Sequence, residues 1–113
     1  MSTEVGRRAE QVAATYLRQR GYQIVAQNWR TRWCEIDLIV RKGGCIYFVE
    51  VKYRSSTAQG AGLEYITHKK LAQMHFAAEF WLAQHPQNHD DYRLAALEVT
   101  GQDYSVTAWL DDV

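Results

Sequence analysis

The sequence predicts an α/β fold: a central mixed β-sheet flanked by helices, with elements in the order α-β-β-β-α-β-β. Two segments, residues 3–20 and 68–84, repeat apolar side chains at helical spacing. Two runs, Glu35 to Val40 and Cys45 to Tyr53, carry apolar residues on both faces, as strands do in a sheet covered on both sides. The chain has 113 residues, which suits one domain spanning 1–113.

The elements follow in order. Ser2 or Thr3 can cap the first helix, and Ala9, Val12, Ala13, Tyr16 and Leu17 recur on one side of it. Gly21 stands where helices stop. Tyr22 to Trp29 alternates and is rich in β-formers, which makes a first strand. Glu35–Val40 and Cys45–Tyr53 form a hairpin around Gly43-Gly44, a pair suited to a two-residue turn. Residues 55–62 are a loop of small residues. Thr67 caps a second helix, whose stripe is Leu71, Met74, Ala78, Trp81 and Leu82, and Pro86 ends it. Residues 86–91 form a polar connection. Two last strands, Arg93 to Val99 and Tyr104 to Trp109, flank Gly101.

Apolar residues make up 47% of the chain, with seven Tyr, four Trp and three Phe to fill a core, which excludes a disordered chain. No apolar run approaches the roughly 18 residues of a membrane span, and no charged-then-apolar signal segment opens the sequence. The expectation is a soluble, cytoplasmic protein with no membrane partner. Cys34 and Cys45 are the only cysteines, at different levels of the hairpin and out of disulfide reach, so both are expected to be reduced thiols. The net charge is zero, but residues 1–70 hold twelve Lys and Arg against six Asp and Glu, whereas 71–113 hold one Arg against seven acids. That asymmetry suits a basic face and an acidic one.

The chemistry concentrates in Glu35-Ile36-Asp37-Leu38-Ile39 and Val49-Glu50-Val51-Lys52. Side chains alternate along a strand, so Glu35 and Asp37 share a face, as do Glu50 and Lys52. With Gly43 and Gly44 at the centre of the turn, Lys42 pairs with Cys45, and counting back sets Asp37 opposite Glu50 and Glu35 opposite Lys52. Two carboxylates so placed repel each other, and a hard divalent cation, Mg²⁺ or Mn²⁺, relieves the repulsion through oxygen ligands. Lys52 can then orient a water and neutralise developing charge. The alternative is a salt-bridge ladder of these acids with Lys52 and nearby arginines; against it, the acids interrupt strands that are otherwise apolar.

An Asp, a hairpin's length of chain, then Glu-X-Lys resembles the PD-(D/E)XK nuclease superfamily. More closely, the chain resembles the YraN family, bacterial proteins similar to Holliday-junction resolvases. The resemblance covers most of residues 6–100. It rests on Gly6-X-X-X-Glu10, Tyr16-Leu17-X-X-X-Gly21-Tyr22, Asn28-X-Arg30, Glu35-Ile36-Asp37-Leu38-Ile39, Phe48-Val49-Glu50-Val51-Lys52-X-Arg54 and Thr67-X-X-Lys70. It implies a restriction-endonuclease-like domain and a metal-dependent endonuclease acting on DNA, including branched or structured DNA. It also implies that Asp37, Glu50 and the main-chain carbonyl of Val51 hold Mg²⁺ or Mn²⁺, that Lys52 is catalytic, and that Glu10 is the helical glutamate added to the site. Glu10 lies on the helix flank with Gly6, Ala13, Ala14 and Leu17, beside the buried stripe, which is unusual for a solvated acid. Glu35 is on the same face but further out, and reads as structural or as a support for the residues that hold the metal. Two departures stand out: Cys34 replaces the glycine before Glu-Ile-Asp, and Ala95 replaces the acid of Arg-Phe-Asp in the fourth strand.

Arg30, Arg32, Arg54 and Lys52 fall near strand ends by this site, and Lys69 and Lys70 lie in the first turn of the second helix, where the dipole disfavours cations. Arg30, Arg32, Arg54, Lys69 and Lys70 are therefore candidate phosphate contacts for nucleic acid. Trp29 and Trp33 flank the basic run and suit base stacking, a homodimer contact or burial. The alternative function is a nucleic-acid-binding module of the same fold with weak or lost catalysis, favoured by zero net charge and by Ala95. A third reading is an interaction protein whose acids are only salt-bridged.

Overall fold

The structure is a computed structural model and describes residues 3–56, 64–88 and 90–113. The first helix, α1, spans Glu4–Gln19; Thr3 caps it, its side chain accepting the Gly6 N–H at 2.9 Å. The helix closes on Gly21, whose φ of 90° is a left-handed value that glycine adopts without a Cβ clash. The N–H groups of Gly21 and Tyr22 donate back to the carbonyls of Arg18 and Leu17, satisfying the last turn. The strands β1 (Gln23–Arg30), β2 (Glu35–Lys42) and β3 (Cys45–Arg54) follow. Then come α2 (His68–Gln84), capped by Thr67, and β4 (Asp91–Thr100) and β5 (Ser105–Leu110).

The sheet runs β1-β2-β3-β4-β5. The β3–β4 pair is parallel and the other three pairs are antiparallel. A parallel neighbour cannot be reached by a tight turn, and α2 lies in the crossover that makes the join. The helices cover opposite faces. α1 buries Ala9, Ala13, Ala14 and Leu17 against Leu38, Val40, Tyr47, Val49, Ala95, Leu97 and Val99. α2 buries Met74, Ala77, Ala78 and Trp81 against Ile39, Ile46, Phe48 and Leu94. This two-sided cover explains why β2, β3 and β4 are apolar on both faces, and the order α-β-β-β-α-β-β is the one expected of a restriction-endonuclease-like fold.

The hairpin forms as its glycines require. Gly43 and Gly44 have φ of 59° and 76°, the pair of positive values of a type I′ turn, and Lys42 pairs with Cys45. The later boundaries differ slightly from expectation. β4 begins at Asp91 rather than Arg93, because Asp91 and Tyr92 pair with Cys45 and Ile46 at the start of the parallel ladder. β5 begins at Ser105, because Tyr104 has φ 53° and belongs to the turn after Gly101. Of the expected loop at 55–62, residues 57–62 lie outside the described residues. Cys34 and Cys45 are free thiols. No helix among the described residues is long and apolar enough to cross a membrane.

Candidate functional site

The β2–β3 ladder runs from Lys42↔Cys45 to Leu38↔Val49 and stops there. One step further would set Asp37 opposite Glu50. Instead the carboxylate of Asp37 turns to the main chain of β3, where Oδ2 accepts the Val51 N–H at 2.8 Å. The register anticipated from the turn therefore holds, and Asp37 lands beside the Glu50–Val51 peptide by a side-chain bond rather than a ladder bond.

Asp37 is poorly compensated. Burial, and next to it the negative charge of Glu50, push its carboxyl up to about 7, and Glu10 and Glu35 add to the rise. The Val51 N–H pulls the other way. Three acids from α1, β2 and β3 thus lie within electrostatic reach of a fourth. Glu10 reaches the site from the α1 side of the sheet, and its Oε1 is buried without a hydrogen-bond partner among the described residues.

Glu50 stands on the α2 side. Its Oε2 lies 3.0 Å from the Lys70 ammonium, with 22% of the Glu50 side chain exposed. Thr67 caps the helix by accepting the Lys70 N–H, fixing the first turn from which Lys70 reaches Glu50. Lys52 is exposed two residues beyond Glu50 on the same face and makes no ion pair among the described residues. Its ammonium lies 5.6 Å from the ring centre of Tyr65.

Two further residues join the site that the sequence did not single out. The Tyr65 hydroxyl is buried with no hydrogen-bond partner among the described residues, and burial, followed by Glu50, Glu98 and Asp37, pushes its pKa up. Glu98 pairs with Lys52 in the parallel ladder and is 3% exposed. Its Oε2 lies 2.8 Å from Arg54 Nε in a close ion pair whose N–H is not aligned as a hydrogen bond. Its Oε1 accepts the Thr107 hydroxyl at 2.7 Å. A lone acid within Leu94-Ala-Ala-Leu-Glu-Val was the visible signal for Glu98. Tyr65 precedes the α2 cap without any motif and gave none.

The basic residues divide. Arg54 is turned into the sheet against Glu98, and Lys70 against Glu50. Arg30 meets Glu35 at 3.9 Å with both side chains exposed, a distance and setting worth little. Arg32 lies over the Trp33 ring at 5.3 Å, and Lys69 makes no ion pair among the described residues. Arg30, Trp33, Glu50, Lys69, Lys70 and Phe76 all line one open groove of about 760 Å³. Ala95, where the acid was expected, is fully buried beneath α1, on the face opposite Glu50 and Lys52.

The donor set suits a hard cation. Asp37, Glu50 and Glu10 offer oxygen only, their mutual repulsion raises the Asp37 pKa, and Glu10 keeps an unpartnered buried oxygen. Among the described residues no three His, Cys, Asp or Glu side chains are already gathered into a metal cage. Glu50 is held by an ammonium and Asp37 by a peptide N–H, so both would have to exchange a partner for a cation.

A family model described as "Uncharacterised protein family UPF0102" matches residues 9–99. A UPF0102 protein of Vibrio cholerae is 37% identical over 111 residues, covering 96% of this chain and 90% of that protein. One of Clavibacter michiganensis is 38% identical over 96 residues, 85% of this chain and 81% of its own. One of Leifsonia xyli is 46% identical over 78 residues, 69% and 66% respectively. The matched span includes Glu10, Asp37, Glu50 and Lys52.

Proposed function

The chain belongs to the uncharacterised protein family UPF0102, the YraN family, and from its site we propose that it is a metal-dependent phosphodiesterase acting on DNA. The observation that carries this reading is the state of Asp37: a largely buried carboxyl, raised to about 7, with Glu50 and Glu10 nearby and, among the described residues, no cation paired to it. A fold spends stability to hold such a group, and perturbed acids of this kind cluster at working sites.

Asp37 and Glu50, with the Val51 carbonyl, would hold Mg²⁺ or Mn²⁺. Such a cation, when bound, polarises a phosphate and acidifies a water. Lys52 is an exposed ammonium on the Glu50 face with no ion pair among the described residues; it orients the attacking water and offsets charge developing on the phosphate. Glu10, with its unpartnered oxygen, accepts a hydrogen bond from that water. Arg30, Arg32 and Lys69 are the cations available to backbone phosphates, and Lys70 joins them when it leaves Glu50. Arg54 contributes by holding Glu98. The preference for branched or otherwise structured DNA rests on the family resemblance alone.

The test is cleavage of labelled branched DNA with and without Mg²⁺, by wild type, Asp37→Asn and Glu50→Gln. Mg²⁺-dependent cutting by the wild type, lost in both variants, supports the reading. Tight Mg²⁺-dependent binding with no cutting at any metal concentration replaces it with the binding module, for which zero net charge and Ala95 speak.

A further inference from the structure

Large apolar side chains seldom stand in water on a small protein without a use. Here Trp33 is 64% exposed and Phe76 52% exposed. They come from different elements, the β1–β2 connection and α2, and line the same groove. Phe80 joins them from within: its ring centre lies 5.8 Å from Trp33, 6.0 Å from Phe76 and 6.0 Å from Trp29. The rings are therefore fixed to the fold at their inner edge and open to solvent at the outer one. Arg30 and Lys69 border the same groove, Arg32 lies over the Trp33 ring, and Glu50 and Lys70 line the groove as well.

We propose that this groove holds unpaired nucleotides of the DNA substrate, with bases stacked on Trp33 and Phe76 and their phosphates on Lys69, Arg30 and Arg32. The inference deepens the phosphodiesterase reading and rests on it for placing a phosphate by Glu50. Rings interleaved with cations along a groove match a single strand, whose bases have free faces and whose backbone carries a charge at each step. A duplex offers no free base face, because its bases already stack on each other. A second copy of the chain fits less well. A two-fold contact through this patch would gather two copies of the Arg30, Arg32 and Lys69 cluster into one interface, where like charges would have to be desolvated together.

The probes are a labelled oligothymidylate of about 12 nucleotides and a blunt duplex of the same length, titrated in EDTA so that neither is cut. The expected result is at least tenfold tighter binding of the single strand, with quenching of tryptophan emission. Trp33→Ala should remove most of the quenching and weaken binding by about 5- to 100-fold, and Phe76→Ala by less. Trp33→Phe, which keeps a ring, should retain most of the affinity. Both positions are exposed, so circular dichroism should be unchanged. Equal binding of the two probes, or Trp33→Ala binding as tightly as wild type, overturns the proposal. So does sedimentation showing a wild-type dimer that Trp33→Ala converts to monomer while strand binding persists. Cleavage in Mg²⁺ separates the two readings. A strand bound through Trp33 but never cut leaves the groove standing and removes the phosphodiesterase. Oligothymidylate cut at subsaturating concentration as fast by Trp33→Ala as by wild type does the reverse.

Discussion

Glu98 and Asp37 are both acids set into apolar strands, and the fold treats them in opposite ways. Glu98 is the more buried, yet each of its oxygens is answered: Arg54 lies 2.8 Å from one and the Thr107 hydroxyl 2.7 Å from the other. Asp37 receives one peptide N–H and is surrounded by Glu50, Glu10 and Glu35. On the proposed reading, the contrast separates an acid kept for structure from one kept for chemistry. A structural carboxylate arrives with its cation in the same sheet; a working one is left short of positive charge until something brings it. Glu50 falls between the two, because the cation at its side, Lys70, belongs to another element and is itself 31% exposed.

The comparison can be broken most forcefully at Arg54. Arg54→Ala strands the Glu98 charge in the sheet and should cost about 3–5 kcal/mol of stability, measured by urea unfolding. The double change Arg54→Met with Glu98→Leu should recover much of that loss. Little loss in Arg54→Ala alone would mean that Glu98 is not a structural acid in the sense drawn here.

Lys52→Ala tests the other pole. It should leave stability and metal binding nearly unchanged, because an exposed ammonium with no ion pair among the described residues is removed and a protonated lysine has no lone pair for a metal. DNA hydrolysis should slow by about 10²–10³-fold, the usual loss for one preorganised donor, measured under single-turnover conditions. Equal rates in variant and wild type would remove Lys52 from the chemistry.

Asp37 sharpens the comparison through pH. Its folded pKa, about 7, is above the unfolded value of 3.8, so between these values the native state holds a proton that the unfolded state has lost. Metal-free stability should therefore fall as pH rises from about 4 to about 7, and level off above. Asp37→Asn, which keeps an acceptor for the Val51 N–H and carries no charge, should flatten that slope and gain about 1–2 kcal/mol at pH 8. Added Mg²⁺ should flatten the wild-type slope too, since a bound cation favours the ionised carboxylate. Thermal melts across the range, with and without metal, read all three. If the wild-type curve minus the Asp37→Asn curve rises with pH instead of falling, Asp37 is an acid stabilised in its ionised form and the contrast is lost.

The smallest effect belongs to Lys70. If its ammonium stands at Glu50 where a metal would otherwise sit, Lys70→Ala should tighten Mn²⁺ binding by a few-fold, in line with a partly exposed pair worth about 0.2–1 kcal/mol. Calorimetry showing weaker Mn²⁺ binding in the variant would mean that Lys70 orders Glu50 for the metal rather than competing with it.

Much of this frame could be read in the residues. Thr3, Gly21 and Thr67 act as their types predict, and Gly43-Gly44 fixes the register that brings Asp37 to the Glu50–Val51 peptide. These are local effects, decided within a turn or along one hairpin. The pairings that decide charge were not legible. Lys70 meets Glu50, and Arg54 meets Glu98, only after α2 has crossed the sheet and β4 has aligned beside β3, and no periodicity encodes that placement. Tyr65 was missed for the same reason, since its place beside Lys52 and the acids follows from how the crossover returns. The expected strand from Tyr104 to Trp109 starts one residue later, because the turn after Gly101 holds Tyr104 at positive φ.

The parallel seam between β3 and β4 has a consequence for how the chain finds its native state. Strands β1, β2 and β3 meet through short connections, whereas β4 joins β3 only through a long crossover that includes α2. Closing the longer loop costs more chain entropy and rewards it later, so the three-stranded meander should assemble ahead of the seam. Asp37, Glu50 and Lys52 all belong to that early meander, and the Arg54–Glu98 and Lys70–Glu50 pairs are completed only when the seam closes. In a chevron, replacing Gly43, whose φ of 59° the turn needs, should therefore mainly slow refolding. Replacing Leu97 or Val99 in the seam by alanine should mainly speed unfolding.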